Sequence, residues 1–136
     1  MMASHSIYAE CQLPEPDRMI RLLEVEDFDR ESRPCFKLRS YRLDSAPEFS
    51  ALSRMWWGQD QENSIVINAQ PTTVLLNLRN FLTINRVSPQ GELLWIDALC
   101  IDQKSQNEKK AQVPLMGRIY SLVSTDSKIV YMYTQY

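Results

Sequence analysis

The sequence predicts an α/β protein with a mostly parallel sheet that is flanked by helices and extended by additional N-terminal strands. The second half of the chain runs helix, apolar strand, helix, apolar strand, the order in which helical crossovers produce parallel strands. The segment LLWI (93–96) contains only large apolar side chains, as strands do when helices cover both faces of a sheet. We therefore expect Leu94, Trp95 and Ile96 to be almost fully buried.

Five other segments have the composition of strands. CFKLRSYRL (35–43) alternates apolar and polar side chains over most of its length, the period-2 pattern of a strand with one exposed face. Apolar content also predicts strands, or strand-to-loop passages, in MIRLLEV (19–25), FSALSRMWW (49–57), SIVIN (64–68) and KIVYMY (128–133). We expect residues 1–18 to form a flexible N-terminal lead-in and residues 19–136 to form one domain.

The segment 73–84 is predicted to be the first of two helices. Its apolar residues recur at positions i, i+1, i+4, i+7 and i+8, which places them on one face of a helix with 3.6 residues per turn. Thr72 or Thr73 is the expected N-cap, because a threonine hydroxyl can accept a hydrogen bond from an amide of the first turn.

The second helix is predicted to begin at the segment SQNE. Ser105 is followed three residues later by Glu108, which is the signature of a capping box. Pro114 lies inside the helix and cannot donate a backbone hydrogen bond, so we expect the helix to bend near 110–114 or to restart there. We expect the apolar face to contain Val113, Met116, Ile119, Tyr120 and Val123.

Composition and charge exclude several classes of partner. The formal net charge is −2 and the sequence pI is about 5.4, so the chain lacks the basic balance that nucleic-acid binding needs. No apolar run approaches the roughly 20 residues of a membrane span, and the N-terminus lacks the apolar core of a signal peptide. The three cysteines are odd in number and far apart, which favours free thiols and a cytoplasmic location.

The residue inventory excludes several kinds of chemistry. His5 is the single histidine and lies in the N-terminal lead-in, so a serine or cysteine nucleophile has no base. The sequence contains neither a CxxC nor an HExxH spacing, so we expect no metal site. The 3 glycines are too few and too scattered for a GxGxxG or Walker loop.

Two acids and a glutamine follow the apolar strand at 93–96. Asp97 lies directly at its carboxyl end, and Asp102 and Gln103 lie in the loop beyond. Open parallel sheets bind ligands beyond the carboxyl ends of their strands, so these residues are candidates for a ligand site. The structural alternatives remain open: Asp97 can cap the following turn, and Asp102 can be a solvated loop acid.

Three separated motifs resemble those of the fungal heterokaryon-incompatibility (HET) domain. They are SALSRMWWG (50–58), LLWIDALCIDQ (93–103) and EKKAQVPLMGRIY (108–120), in the order and approximate spacing of that family. The resemblance extends over about residues 19–133. HET domains trigger cell death when genetically different hyphae fuse, and they are distantly similar to TIR domains, some of which cleave NAD.

The resemblance implies a TIR-like parallel sheet and a function in non-self recognition. We expect an interaction module that self-associates or binds a longer HET protein, with no bound cofactor. The alternative that the resemblance implies is an NAD glycohydrolase that uses the strand-end acids, with NAD as its substrate.

The resemblance also suggests site residues. Glu108 and Asp97 are the candidate catalytic acids, because a carboxylate can stabilise the oxocarbenium-like state formed when a glycosidic bond breaks. The candidate ligand-binding residues are Ser53, Trp57, Gly58, Asp102 and Gln103. The structural alternatives are a helix-capping Glu108 and a Trp57 that packs in the core or at an interface.

The chain also departs from the family pattern. Arg54 stands where an aromatic residue is usual, and Asp102 replaces the common asparagine, adding negative charge beside Asp97. The sequence ends after the strand at 128–133, whereas the catalytic glutamate of NAD-cleaving TIR domains lies on a following helix. We therefore expect a short or truncated HET domain with negligible NAD hydrolysis on its own.

Overall fold

A computed structural model describes residues 6–53, 61–84, 90–125 and 129–131 of the chain. The sheet strands are β1 (Met19–Val25), β2 (Cys35–Arg42), β3 (Ser50–Ser53), β4 (Glu62–Ile67), β5 (Gln70–Leu75), β6 (Leu93–Ile96) and β7 (Ile129–Tyr131). The α-helices are α1 (Leu76–Ile84), α2 (Asp97–Cys100) and α3 (Gln106–Thr125), and a short 3₁₀ helix spans Leu43–Ser45. The prediction of an α/β fold is confirmed.

The sheet is mixed, so the prediction of a mostly parallel sheet is wrong. Its strand order is β5-β4-β2-β1-β6-β3-β7. β3 pairs in parallel with β6 and β7, and β2 pairs in parallel with β4. β1 is antiparallel to both β2 and β6, and β5 is antiparallel to β4. β1 and β2, like β4 and β5, are joined without an intervening helix, and such short connections pair strands antiparallel.

The first helix begins later than its apolar periodicity predicts. β5 extends to Leu75 and α1 starts at Leu76, so Thr72 and Thr73 lie in a strand and are not N-caps. The reason is a tight hairpin: Asn68 and Ala69 have φ angles of 53° and 63°, which are the positive values that a two-residue β-turn needs. The β-branched residues after this turn then pair with β4. α1 itself buries Leu78, Phe81 and Leu82.

The helix predicted to begin at SQNE is α3, and it runs without interruption from Gln106 to Thr125. It passes through Pro114, so it does not restart at the proline. The predicted apolar face is partly wrong, because Val113 is 56% exposed. The buried face contains two polar residues and three apolar ones, Glu108, Gln112, Leu115, Ile119 and Val123. The prediction is therefore correct for Ile119 and Val123, and Met116 and Tyr120 are partly buried against the same core. It missed Leu115 and the two polar residues.

The centre of the core is formed by β1 and β6. Trp95 and Ile96 have no exposed surface and Leu94 is 5% exposed, so the predicted burial of β6 is confirmed. The Trp95 ring contacts Tyr120 of α3 edge-to-face, with 5.7 Å between ring centroids. The sheet is thus anchored to α3 by an aromatic contact.

The segment before β1 packs on the domain from residue 6 onward. Ile7 and Cys11 are buried members of the hydrophobic core. Cys11, Cys35 and Cys100 are all free thiols. None of the helices within the described ranges is long and apolar enough to cross a membrane.

Candidate functional site

A buried ion pair between β1 and α3 lies at the centre of the candidate site. Arg21 Nη1 donates to Glu108 Oε2 at 2.7 Å, and Nη2 donates to Oε1 at 2.8 Å. The two side chains are only 2% and 10% exposed. This is the bidentate geometry in which a guanidinium and a carboxylate form their strongest hydrogen bonds.

Arg21 is buried because its strand is buried. Ile20 and Leu22 on either side have no exposed surface, so the guanidinium must find its partners inside the protein. Besides Glu108, it donates from Nε to the carbonyl oxygen of Cys11 at 2.6 Å and from Nη1 to that of Cys100 at 3.2 Å. Burial alone would lower the pKa of Arg21, but the hydrogen bonds and charge of Glu108 outweigh it and raise the pKa.

Tyr8 covers the guanidinium from the N-terminal side. Its ring centroid lies 4.8 Å from Arg21 Cζ, which is a cation–π distance. The Tyr8 hydroxyl donates to the carbonyl oxygen of Leu99 at 2.8 Å. Burial raises the pKa of Tyr8 above its usual value. The phenol therefore stays a neutral donor, and it ties the N-terminal segment to α2.

Glu108 has two structural functions at the start of α3. Its amide donates to Ser105 Oγ at 3.2 Å, so the predicted N-cap is confirmed. Its carboxylate does not complete a capping box, because Oε2 accepts instead from the amide of Asp102 at 2.6 Å. Glu108 therefore fixes both the guanidinium of Arg21 and the loop that leads into the helix.

A cleft of about 420 Å³ opens above this ion pair. Tyr8, Gln12 and other residues of the N-terminal segment form one wall, and Asp102 and Asn107 form part of the other. Arg21 and Glu108 also line it. Of the sequence-predicted site residues, the structure brings Glu108 and Asp102 together in this cleft.

Asp97 lies elsewhere and is not among the residues that line the cleft. It is the first residue of α2, and its Oδ1 is buried and has no hydrogen-bond partner among the described residues. Burial raises the pKa of Asp97, although hydrogen bonds from backbone amides, including that of Ala98, partly oppose this. Its carbonyl oxygen accepts from Gln103 Nε2 at 3.0 Å. The two candidate catalytic acids therefore do not share one site in this structure.

The remaining candidates have separate locations. Asp102 Oδ1 accepts from the amide of Lys104 at 3.1 Å, which is a turn-stabilising bond, while the side chain also lines the cleft. Ser53 ends β3, opposite Tyr131 of β7. Trp57 and Gly58 lie outside the described residues.

Sequence reasoning missed three residues of this site: Arg21, Tyr8 and Gln112. Gln112 has no exposed surface, and its Nε2 donates to the carbonyl oxygens of Pro16 and Met19 at 2.6 Å each. The available signal was the single basic residue inside the apolar stretch MIRLLEV. A charge at such a position requires a buried counter-ion.

The comparison with protein families matches residues 49–134 to the Heterokaryon incompatibility protein (HET) family. This match covers more than half of the chain and contains the motifs at 50–58, 93–103 and 108–120. The chain therefore belongs to the HET family, and its HET domain implies a function related to heterokaryon incompatibility. No curated protein and no solved structure gives a match.

Proposed function

We propose that this protein is a signalling and interaction module of fungal non-self recognition that contributes to incompatibility-type cell death in the cytoplasm. It acts by associating with itself or with a longer HET protein. The family match supports the incompatibility-related function. The proposal that it is an interaction module is supported by the hydrogen bonds of Glu108.

The observation that carries this proposal is that both carboxylate oxygens of Glu108 already accept hydrogen bonds inside the protein. A catalytic carboxylate must be free to approach a substrate in a site organised around the reacting atoms. Both oxygens of Glu108 instead accept hydrogen bonds from Arg21, and Oε2 also accepts from the amide of Asp102. The side chain is thus a structural junction between β1, α3 and the preceding loop, which suits an interaction module better than an enzyme.

Self-association is tested by light scattering after size-exclusion chromatography over a range of protein concentrations. We expect the mean mass to rise with concentration, and a constant monomer mass at every concentration would contradict self-association. Val113 and Leu122 are 56% and 47% exposed, and their spacing of nine residues places them on opposite sides of α3. Val113→Ser and Leu122→Ser therefore form a matched pair that shows which side of the helix contributes to the contact.

The second candidate is a TIR-like NAD glycohydrolase. It is favoured by the position of Glu108 and Asp102 on the cleft of about 420 Å³, where a carboxylate could act on a bound glycosidic bond. The test is to incubate the pure full chain with NAD and to measure nicotinamide by chromatography. We expect negligible release, and robust release that is lost in a folded Glu108→Gln variant would establish the enzyme instead.

A further inference from the structure

We propose that residues 6–17, the N-terminal strap, detach from the folded protein as a unit and thereby uncover the Arg21–Glu108 pair. The strap covers this pair through the Tyr8 ring, and it also walls the cleft above it. Its release is a conformational device built into the fold. It does not depend on whether the protein self-associates.

The strap is held mainly by polar contacts and a few buried side chains. Its own backbone hydrogen bonds are turn bonds between near neighbours, such as Ala9 N to Ser6 O at 3.1 Å. Among its residues only Ile7 and Cys11 are buried, whereas the adjacent strand β1 buries five of its seven residues. Segments with few buried apolar contacts open at a lower free energy than the central strands of a sheet.

Three hydrogen bonds connect the strap to the site. The Tyr8 hydroxyl donates to the carbonyl of Leu99 at 2.8 Å, and the Cys11 carbonyl accepts from Arg21 Nε at 2.6 Å. The Pro16 carbonyl accepts from Gln112 Nε2 at 2.6 Å. In the released state water can take over each of these bonds on the strap, because the strap then lies in solvent.

Release does not leave a buried charge without partners. Arg21 keeps both hydrogen bonds to Glu108 and the bond from Nη1 to the Cys100 carbonyl, and only Nε loses its acceptor. Losing the counter-ion would be strongly unfavourable, but the counter-ion is on α3 and stays in place. The pair is therefore stable in both states, and the strap determines whether solvent or a partner can reach it.

Thiol labelling of the full chain tests this proposal, because the cysteines report on different parts of the fold. Cys11 is on the strap and Cys100 is in α2, and both are buried, while Cys35 is partly exposed and serves as the fast reference. We expect native-state labelling, followed by peptide mass spectrometry, to modify Cys11 at least about tenfold faster than Cys100. The expected ratio applies under conditions in which the protein recloses faster than the reagent reacts, because each labelling rate then follows the free energy of the opening that exposes the thiol. Equal rates for the two thiols would overturn the proposal.

Two variants distinguish strap release from unfolding of the whole domain. Ile65→Val removes a methylene group from the core on β4, and we expect it to speed labelling of Cys100 by about two- to tenfold while Cys11 is unchanged. Tyr8→Phe keeps the ring but removes the hydrogen bond to Leu99, and we expect labelling of Cys11 to become about fivefold faster. Equal acceleration of both thiols by Ile65→Val would show that the strap opens only with the domain. Unchanged Cys11 labelling in Tyr8→Phe would overturn the proposal as well, because the bond to Leu99 would then not hold the strap in place.

Discussion

Arg21 and Glu108 lie 87 positions apart in the chain and form two parallel hydrogen bonds of 2.7 and 2.8 Å inside the protein. Taking both charges out of water carries a large desolvation cost, and the bidentate geometry offsets much of it. The additional bonds to the Cys11 and Cys100 carbonyls and to the Asp102 amide further satisfy the two groups. Removing either partner alone is therefore expected to destabilise the fold strongly, because the other charge stays buried without its counter-ion.

Replacing Glu108 by glutamine leaves the Arg21 charge buried without a counter-ion. We expect the free energy of unfolding, measured by urea denaturation, to fall by about 3–5 kcal/mol. The control is Lys37→Ala, which breaks a longer and more exposed pair with Glu26, 3.6 Å from Nζ to Oε2. That change should cost about 1 kcal/mol or less. Similar losses in the two variants would contradict a structural function for the buried pair.

Trp95 is the largest side chain without exposed surface among the residues that the structure describes, and it packs against Tyr120. Trp95→Ala should lower the free energy of unfolding by about 3–5 kcal/mol, because it removes a large apolar surface and leaves a cavity. Within the described part of the chain, Trp95 Nε1 is buried and has no hydrogen-bond partner, so Trp95→Phe removes this donor while keeping an aromatic ring. We expect the phenylalanine variant to lose clearly less stability. A loss below about 1 kcal/mol for alanine would be inconsistent with the packing described.

Ser105 caps α3 through the hydrogen bond from the Glu108 amide. Ser105→Ala removes this acceptor, and the expected loss in urea denaturation is about 1 kcal/mol. Ser105→Thr keeps a hydroxyl at the same position and should restore most of the stability. If alanine and threonine variants are equally destabilised, the hydroxyl is not the group that matters.

Asp97 gives a prediction about pH. Burial raises its pKa above the usual value of 3.8, so the folded protein holds this proton to higher pH than the unfolded chain. The free energy of unfolding therefore falls as the pH rises from about 3.8 through the folded-state pKa. Asp97→Asn cannot titrate, so its stability relative to the wild type should be higher at pH 7 than at pH 3. Urea denaturation at both pH values measures this difference, and a difference of the opposite sign would contradict a raised pKa for Asp97.

The sequence predicted those parts of the fold in which a single pattern decides the structure. The apolar run of β6 and the Ser105 cap are local signals, and both are confirmed. Two signals compete at the start of the segment 73–84, since the preceding hairpin turn at 68–69 and the β-branched residues after it favour a strand where the apolar spacing favours a helix. The direction of β1 depends on its two neighbours in the sheet, which the sequence of β1 does not encode.

The site was harder to predict because the residues that pair in it are far apart in the sequence. Glu108 could be singled out from the motif, but its partner is a basic residue in a strand near the opposite end of the chain. Apolar periodicity also misplaced the buried face of α3, because it treats Glu108 and Gln112 as solvent-facing. Both become buried only because carbonyl and guanidinium groups from β1 and the strap complement them.

The position of β1 in the sheet determines which part of the chain can fold as a unit. The family match begins at residue 49, but β1 and β2 lie between β4 and β6 in the middle of the sheet. A gene fragment restricted to residues 49–134 would encode two separated groups of strands and a helix whose buried glutamate has lost its arginine. The matched region is therefore not a transferable folding unit, and substitutions in the first 48 residues are constrained by a core that they share with the remainder of the chain.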